Sequence, residues 1–228
     1  MMESPGLYAQ LHICGKNTDQ IMKEICRLKR QINRLTRVLE NPEYVPTMDP
    51  SEDVQLSYMQ KYLEEAKRSL AEAGGTYTPT KAEQKAADFT AKLPFLSQIS
   101  FSYGGLFSGG YCKTFHFEDN LRAYYQSYLP FGEIMEVPIS YRREEFLDQL
   151  IHLHIGQWKK HYDLRQYGMA VLDGYSWELT FHFSNGHRSV TYTGNNAYPY
   201  NFGDLLALFE SPWLGLGECP DDEEDCSL

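Results

Sequence analysis

A chain of 228 residues with 42% hydrophobic and 14% aromatic content holds enough apolar material for one large domain, or for a small domain with an appendage. Its net charge of −10 is unevenly placed: residues 1–40 carry seven Lys/Arg against four Asp/Glu, and the remainder 14 against 27. An acidic body argues against a general nucleic-acid binder, whose affinity rests on phosphate contacts, and no apolar run approaches the ~20 residues needed to span a bilayer.

Met1–Ile13 lacks a basic start followed by an apolar core, so no secretory signal is expected; Leu7–Ile13 reads as a short strand. Beyond it, Ile21, Ile25, Leu28, Ile32, Leu35 and Leu39 alternate at spacings of four and three, as do Leu56, Met59, Leu63, Ala66, Leu70 and Ala73. Such spacing puts each set on one narrow seam of a helix, in the manner of a coiled coil. It predicts a helix from Asn17 or Thr18 to about Glu40. A second starts at Ser51, a good N-cap with Glu52 and Asp53 in the first turn, and stops at Gly74-Gly75. Pro42, Pro46 and Pro50 keep the link extended, and the pair reads as a long antiparallel helical hairpin.

The small Ala66 and Ala73 leave the Ile-rich seam of the first helix partly uncovered. Ile21, Ile25, Leu28, Ile32, Leu35 and Leu39 are therefore the candidate partner-binding residues. The basic run Lys23, Arg27, Arg30, Arg34 and Arg37 on the same helix reads as a solvated flank paired with Glu64, Glu65 and Glu72, in preference to a phosphate-contacting surface. A third helix opens at Thr80-Lys81-Ala82-Glu83, a capping box, lines Ala82, Ala86, Phe89 and Leu93 on one face, and closes at Pro94. These elements form a helical unit over residues 1–93.

Residues 94–212 change texture and predict an α+β domain. Ile99, Phe101 and Tyr103 alternate with polar residues, then Gly104-Gly105-Leu-Phe-Ser-Gly109-Gly110 makes a turn, and Tyr111–Phe117, Leu121–Tyr128 and Glu133–Ile139 continue as strands. Pro138 belongs at an edge or a strand end. Ser140 is positioned to cap a helix over 142–160 carrying Phe146, Leu150, Leu153 and Trp158. Trp177–Phe183 and His187–Thr193 flank Ser184-Asn185-Gly186, the strongest short-range hairpin signal. A last helix is expected over 199–210. The expectation is an antiparallel sheet of about six strands packed by these two helices. Residues 213–228, with six acids in the last eleven, read as an acidic, disordered tail.

Catalytic chemistry has no purchase here. The glycine-rich stretch lacks the Lys-Ser/Thr ending and following helix of a phosphate loop and reads as a hairpin turn with bulges. No Gly-x-Ser-x-Gly elbow occurs. Cys112 and His116 share a strand face about 13 Å apart, too far for a nucleophile and base. Glu144-Glu145, Asp173 and Glu178 read as solvated acids. The five cysteines are odd in number and none forms Cys-x-x-Cys, which reads as reduced thiols in a cytosol. His152, His154 and His161 are spaced poorly for a metal. No catalytic residue, metal or cofactor is assigned.

The segment from Trp158 through Asp173-Gly174-Tyr175-Ser176-Trp177-Glu178-Leu179, the Asn185-Gly186 hairpin, and Gly194-Asn195-Asn196-Ala197-Tyr198-Pro199-Tyr200-Asn201-Phe202 resembles a widespread family of uncharacterised bacterial proteins, common in Firmicutes and gut bacteria. The opening Ile99-x-Phe101-Ser102-Tyr103-Gly104-Gly105 is similar to that family's first strand. The resemblance covers about residues 96–210, leaves out the helical hairpin, and implies a shared fold unit with no known activity. Turn formation, capping and core packing account for these residues without chemistry; a ligand pocket, if present, would lie beside Trp158, Trp177, Asn196 and Tyr198.

The sequence thus reads as a non-enzymatic interaction or assembly protein of the bacterial cytosol, meeting a protein partner or a second copy of itself through the hairpin, with no membrane or direct nucleic-acid contact. The alternative is an acidic nucleic-acid mimic, an inhibitor from a phage or mobile element. An enzyme of unknown class is a weaker third.

Overall fold

The computed structural model describes residues 2–105, 109–118, 120–128, 132–169 and 174–212. The tip of the glycine-rich turn, Asp173, Cys219, Cys226 and the acidic end at 213–228 lie outside the described residues. The fold is α+β, with six α-helices and one seven-stranded mixed sheet among the described residues.

The first element is a helix, not the expected strand: α1 spans Pro5–His12. Ser4 accepts a capping hydrogen bond from the Leu7 amide at 3.2 Å and Pro5 opens the first turn, the pairing that favours helix initiation. The Tyr8 ring then stacks on Tyr62 with centroids 3.9 Å apart. α2 spans Thr18–Leu39, where the seam places it, behind a capping box of Asn17 and Gln20. α3 spans Glu52–Glu72, and the chain leaves it through the left-handed Gly74. Ser51 occupies the N-cap position without making the side-chain bond expected of it. α4 spans Lys81–Lys92, with the Thr80–Glu83 capping box formed.

The sheet strands are β1 (Leu96–Gly105), β2 (Gly109–His116), β3 (Arg122–Ser127), β4 (Met135–Val137), β5 (His161–Asp163), β6 (Tyr175–Phe183) and β7 (Val190–Asn195), in the order β4-β3-β2-β1-β6-β7-β5. All neighbours are antiparallel except β5 with β7, so the sheet has one strand more than expected and is mixed. β1 and β2 stay in register from Gln98 opposite His116 to Gly105 opposite Gly109, and the tip of the turn expected to carry bulges lies outside the described residues; the β1–β6 pairing has an irregularity at Leu96/Gln98. A Cβ on Gly104 would sit 2.7 Å from the Gly109 carbonyl oxygen, which is why the turn is glycine-rich. At the β6–β7 turn, Asn185 and Gly186 both take positive φ.

α5 spans Arg143–His152 and α6 Phe202–Leu208, both shorter than expected. Arg142 rather than Ser140 holds the α5 cap, and the Ser140 amide donates to Glu210 instead. His154 takes a left-handed φ of 49° and ends the helical path, so Trp158 lies beyond α5 after a 3-10 turn at Ile155–Gln157.

Phe89 of α4, Phe146 of α5, and Phe202 and Phe209 at α6 press onto one sheet face, meeting Phe181, Phe115, Phe101 and Trp177. Three helices therefore cover the sheet. α4, grouped by sequence with the helices before it, joins the sheet core through Phe89 and Leu93. A second, smaller core joins Tyr8, Ile21, Ile25, Leu28, Tyr62, Leu63, Ala66 and Leu70 of α1, α2 and α3.

Candidate partner-binding groove

The two halves of the α2 seam have different fates. Ile21, Ile25 and Leu28 are 2%, 0% and 0% exposed and are consumed inside the chain, against α1 and α3. They offer nothing to a partner, which corrects that part of the expectation. Ile32, Leu35 and Leu39 remain half-buried.

The basic flank also departs from expectation. Glu64 and Glu65 pair within α3, with Lys67 and Arg68, and Arg27 pairs with Glu24 on its own helix. Lys29 crosses to Glu83 of α4 at 2.9 Å. Arg34 and Arg37 make no ion pair among the described residues, and Arg30 donates only to the Cys26 carbonyl, at 3.3 Å. Spacings of four and three put Arg30, Arg34 and Arg37 on one face of α2.

The link residues wall that face. Beyond Leu39, the Tyr44 amide closes a turn onto the Asn41 carbonyl at 2.9 Å. The link is then anchored by Glu52, whose carboxylate accepts the Tyr44 hydroxyl at 2.7 Å and the Thr47 hydroxyl at 2.8 Å. Those hydrogen bonds, Tyr44 first, hold the Glu52 carboxyl below its ordinary value and push the Tyr44 hydroxyl up. Gln55 adds a bond to the Pro50 carbonyl at 2.7 Å.

The result is a groove of about 700 Å³ between the end of α2 and the link, with Arg30, Arg34 and Arg37 on one side and Tyr44 and Val45 on the other. Two acids line it, Glu43 and Glu52, and the second is already engaged. The lining is apolar as well as cationic: Val45 is 68% exposed and Val38 36%. Arg and Tyr are among the side chains enriched where proteins meet. Sequence reasoning passed over Asn33, Val38, Asn41, Tyr44 and Thr47; the signal available was the spacing of Arg30, Arg34 and Arg37 beside the half-buried end of the seam.

The expected pocket residues come together but close on one another. Trp158 and Trp177 meet edge to face at 6.2 Å, 5% and 2% exposed. The Trp158 indole donates to Asn201 Oδ1 at 3.0 Å, and the Trp177 indole to the Ala197 carbonyl at 3.0 Å. Asn196, at a left-handed φ of 50°, accepts the Tyr175 amide at 2.7 Å. Tyr198 packs on Phe202 with centroids 4.8 Å apart. The two indoles and the Asn196 carbonyl oxygen are satisfied from within the chain, so the cluster serves as scaffold. Its glycines follow from that: Gly194 and Gly174 lie so close to Trp177 and Asn196 that a Cβ at either would overlap them.

Of the carboxylates considered, Glu145 pairs with Arg142 at 2.7 Å. His116 lies edge-on to Tyr124, centroids 5.2 Å apart. Among the described residues, no group of three or more His, Cys, Asp or Glu side chains is placed to hold a metal ion, and no helix is long and apolar enough to cross a membrane. Comparison with models of known protein families, with curated proteins and with solved structures found no match.

Proposed function

We propose that this chain is a non-enzymatic protein-interaction module. Its α2–α3 pair acts as a helical hairpin, and the groove between the end of α2 and the link takes an acidic segment of a partner protein. The observation that carries the reading is the set of three guanidiniums, Arg30, Arg34 and Arg37, on one face of α2, two of them without an ion pair among the described residues, beside the exposed Val38 and Val45. An antiparallel pairing is supported by Gly75, just past α3, lying against Thr18 at the start of α2. The binding element thus shifts from the apolar seam to its C-terminal flank. Exposed Cys14 and Cys26 and half-buried Cys112 are free thiols, in keeping with a reducing cytosol. We carry the family resemblance forward in the same terms, as a shared unit over about 96–210 to which the helices have been added.

The nucleic-acid mimic is less well supported. It needs free acids at phosphate-like spacing, whereas Glu24, Glu40, Glu52, Glu65 and Glu83 are engaged within the chain.

The test is fluorescence anisotropy of a labelled peptide alternating Asp/Glu with Leu/Trp. The expected result is saturable binding that weakens with added salt and falls at least about tenfold in Arg34→Glu/Arg37→Glu. Equal binding to both chains contradicts the groove. Preference for a single-stranded oligonucleotide over the peptide replaces the protein partner with nucleic acid.

A further inference from the structure

We propose that Lys160 is a site of covalent modification by small acyl phosphates: Lys85 and Lys92 hold the phosphoryl group, and the Lys160 amine takes the acyl group. The site lies between α4 and the entry to β5 and shares no residue with the groove.

The three amines converge on an aromatic floor. Lys85, Phe89 and Lys92 are four and three residues apart on α4 and so share one face of it. The buried Phe89 ring meets Tyr192 edge to face, centroids 6.2 Å apart. The Lys160 amine sits over that Tyr192 ring, 4.1 Å from its centroid, and donates to the Thr191 carbonyl at 3.2 Å. The approach is close because Gly156, four residues earlier, packs on Ala86 of α4; a Cβ there would sit 2.8 Å from the Ala86 carbonyl oxygen. Lys160 therefore stands beside the lysine-bearing face of α4, and Lys85 and Lys92 are the neighbouring charges whose repulsion it feels.

Other lysines are placed differently. Lys29, Lys67 and Lys159 pair with carboxylates, and Lys113 is enclosed at 4% exposure. Lys85, Lys92 and Lys160 make no ion pair among the described residues, and Asp88, between the first two on α4, bridges to neither. The Lys160 side chain as a whole is exposed, so a small donor reaches it. Partial burial of the amine foremost, then the charges of Lys85 and Lys92, pushes it down to about 8. A desolvated lysine beside other cations is an activated nucleophile, and two unpaired ammonium groups attract a phosphoryl group as point charges.

The step balances without a further reactant. The lone pair of the neutral Lys160 amine forms the bond to the acyl carbon, the bond from that carbon to the bridging oxygen breaks, and inorganic phosphate leaves with the electron pair. The proton shed by the nitrogen passes to water. The product is an amide that no longer places a cation over Tyr192.

The experiment is acetylation of the native chain by acetyl phosphate and, separately, by the uncharged donor phenyl acetate, with the rate at each lysine read by peptide mass spectrometry. With acetyl phosphate at pH 8, Lys160 is expected to react about 5–10 times faster than the median of the other lysines. That lead is expected to shrink with phenyl acetate, and to shrink with acetyl phosphate in Lys85→Gln/Lys92→Gln or on adding inorganic phosphate. A Lys160 rate no higher than the median overturns the proposal. So does a lead that is the same for both donors and untouched by inorganic phosphate, which makes Lys160 a reactive amine without a phosphate site. The comparison of donors uses the native chain alone and stands whether or not the double variant folds.

Discussion

The carboxylate of Glu40, 3% exposed at the end of α2, accepts the Lys159 amine at 2.6 Å across the junction with the sheet, and the Tyr162 hydroxyl at 3.3 Å. Burial foremost, then the neighbouring carboxylate, pushes the Tyr162 hydroxyl well above its ordinary value. The tie fixes where α2 stops, and so where the link begins to wall the groove. Its two ends are unequal: the Lys159 side chain is 44% exposed and can rehydrate, whereas Glu40 is enclosed. Lys159→Met, which strands the carboxylate, is expected to destabilise by about 2–3 kcal/mol, and Glu40→Gln by about half as much. Urea denaturation of both variants checks the order; an equal or reversed order contradicts the asymmetry.

The two halves of the α2 seam separate in the same assay. Ile25 is fully buried, and Ile25→Ala is expected to cost about 2–5 kcal/mol by leaving a cavity. Leu35, half-buried and next in sequence to the groove's Arg34, is expected to cost well under that and to weaken peptide binding instead. A large stability loss at Leu35 with unchanged binding would remove this end of the seam from the site.

Glu83 gives the chain an acid-side sensitivity. Partial burial pushes its carboxyl up, but hydrogen bonds from the Thr80 amide, Lys29 and Tyr77 outweigh it and hold the group well below its ordinary value near 4.5. Because the folded form binds the proton more weakly, this stabilisation is complete above the unfolded value. It declines as pH falls below it and is gone below the folded value. Glu83 joins α4 to Lys29 of α2 and Lys67 of α3, so its protonation loosens the helices from one another. The expected outcome is that native chain and Glu83→Gln differ in urea midpoint at pH 7 and converge toward pH 3. A constant difference across that range would assign the stability to other groups.

Gly194 tests the aromatic scaffold. With the Trp177 indole lying against its Cα, Gly194→Ala forces the ring off the Ala197 carbonyl. A loss of about 1–3 kcal/mol is expected from overpacking, with a changed near-ultraviolet circular dichroism spectrum from the displaced Trp177–Trp158 pair. An unchanged spectrum would show that the indole had room to move.

Much of this architecture is written locally and was therefore legible. Asn17 with Gln20, and Thr80 with Glu83, mark helix starts by bonds spanning three residues. Asn185-Gly186 marks its turn by backbone conformation alone. What escaped depends on distant partners. α1 owes its stability to Tyr8 meeting Tyr62, and β5 is three residues whose strand character comes from parallel pairing with β7. The groove escaped for the same reason: Arg34 and Arg37 look like any solvated flank until Glu52 reaches back to Tyr44 and Thr47 and stands the link opposite them. The Trp158, Trp177, Asn196 and Tyr198 cluster was found from its residues, but only contacts decide between a pocket and a packed core.

The groove is tested most directly by exchanging its charge and titrating both chains calorimetrically with an acidic Asp/Leu peptide and a basic Lys/Leu peptide of equal length. The Arg34, Arg37 chain is expected to bind the acidic peptide alone, and Arg34→Glu/Arg37→Glu the basic peptide alone. If both chains bind the acidic peptide with the same affinity, or neither binds either peptide, the arginine face of α2 is not where this protein meets its partner.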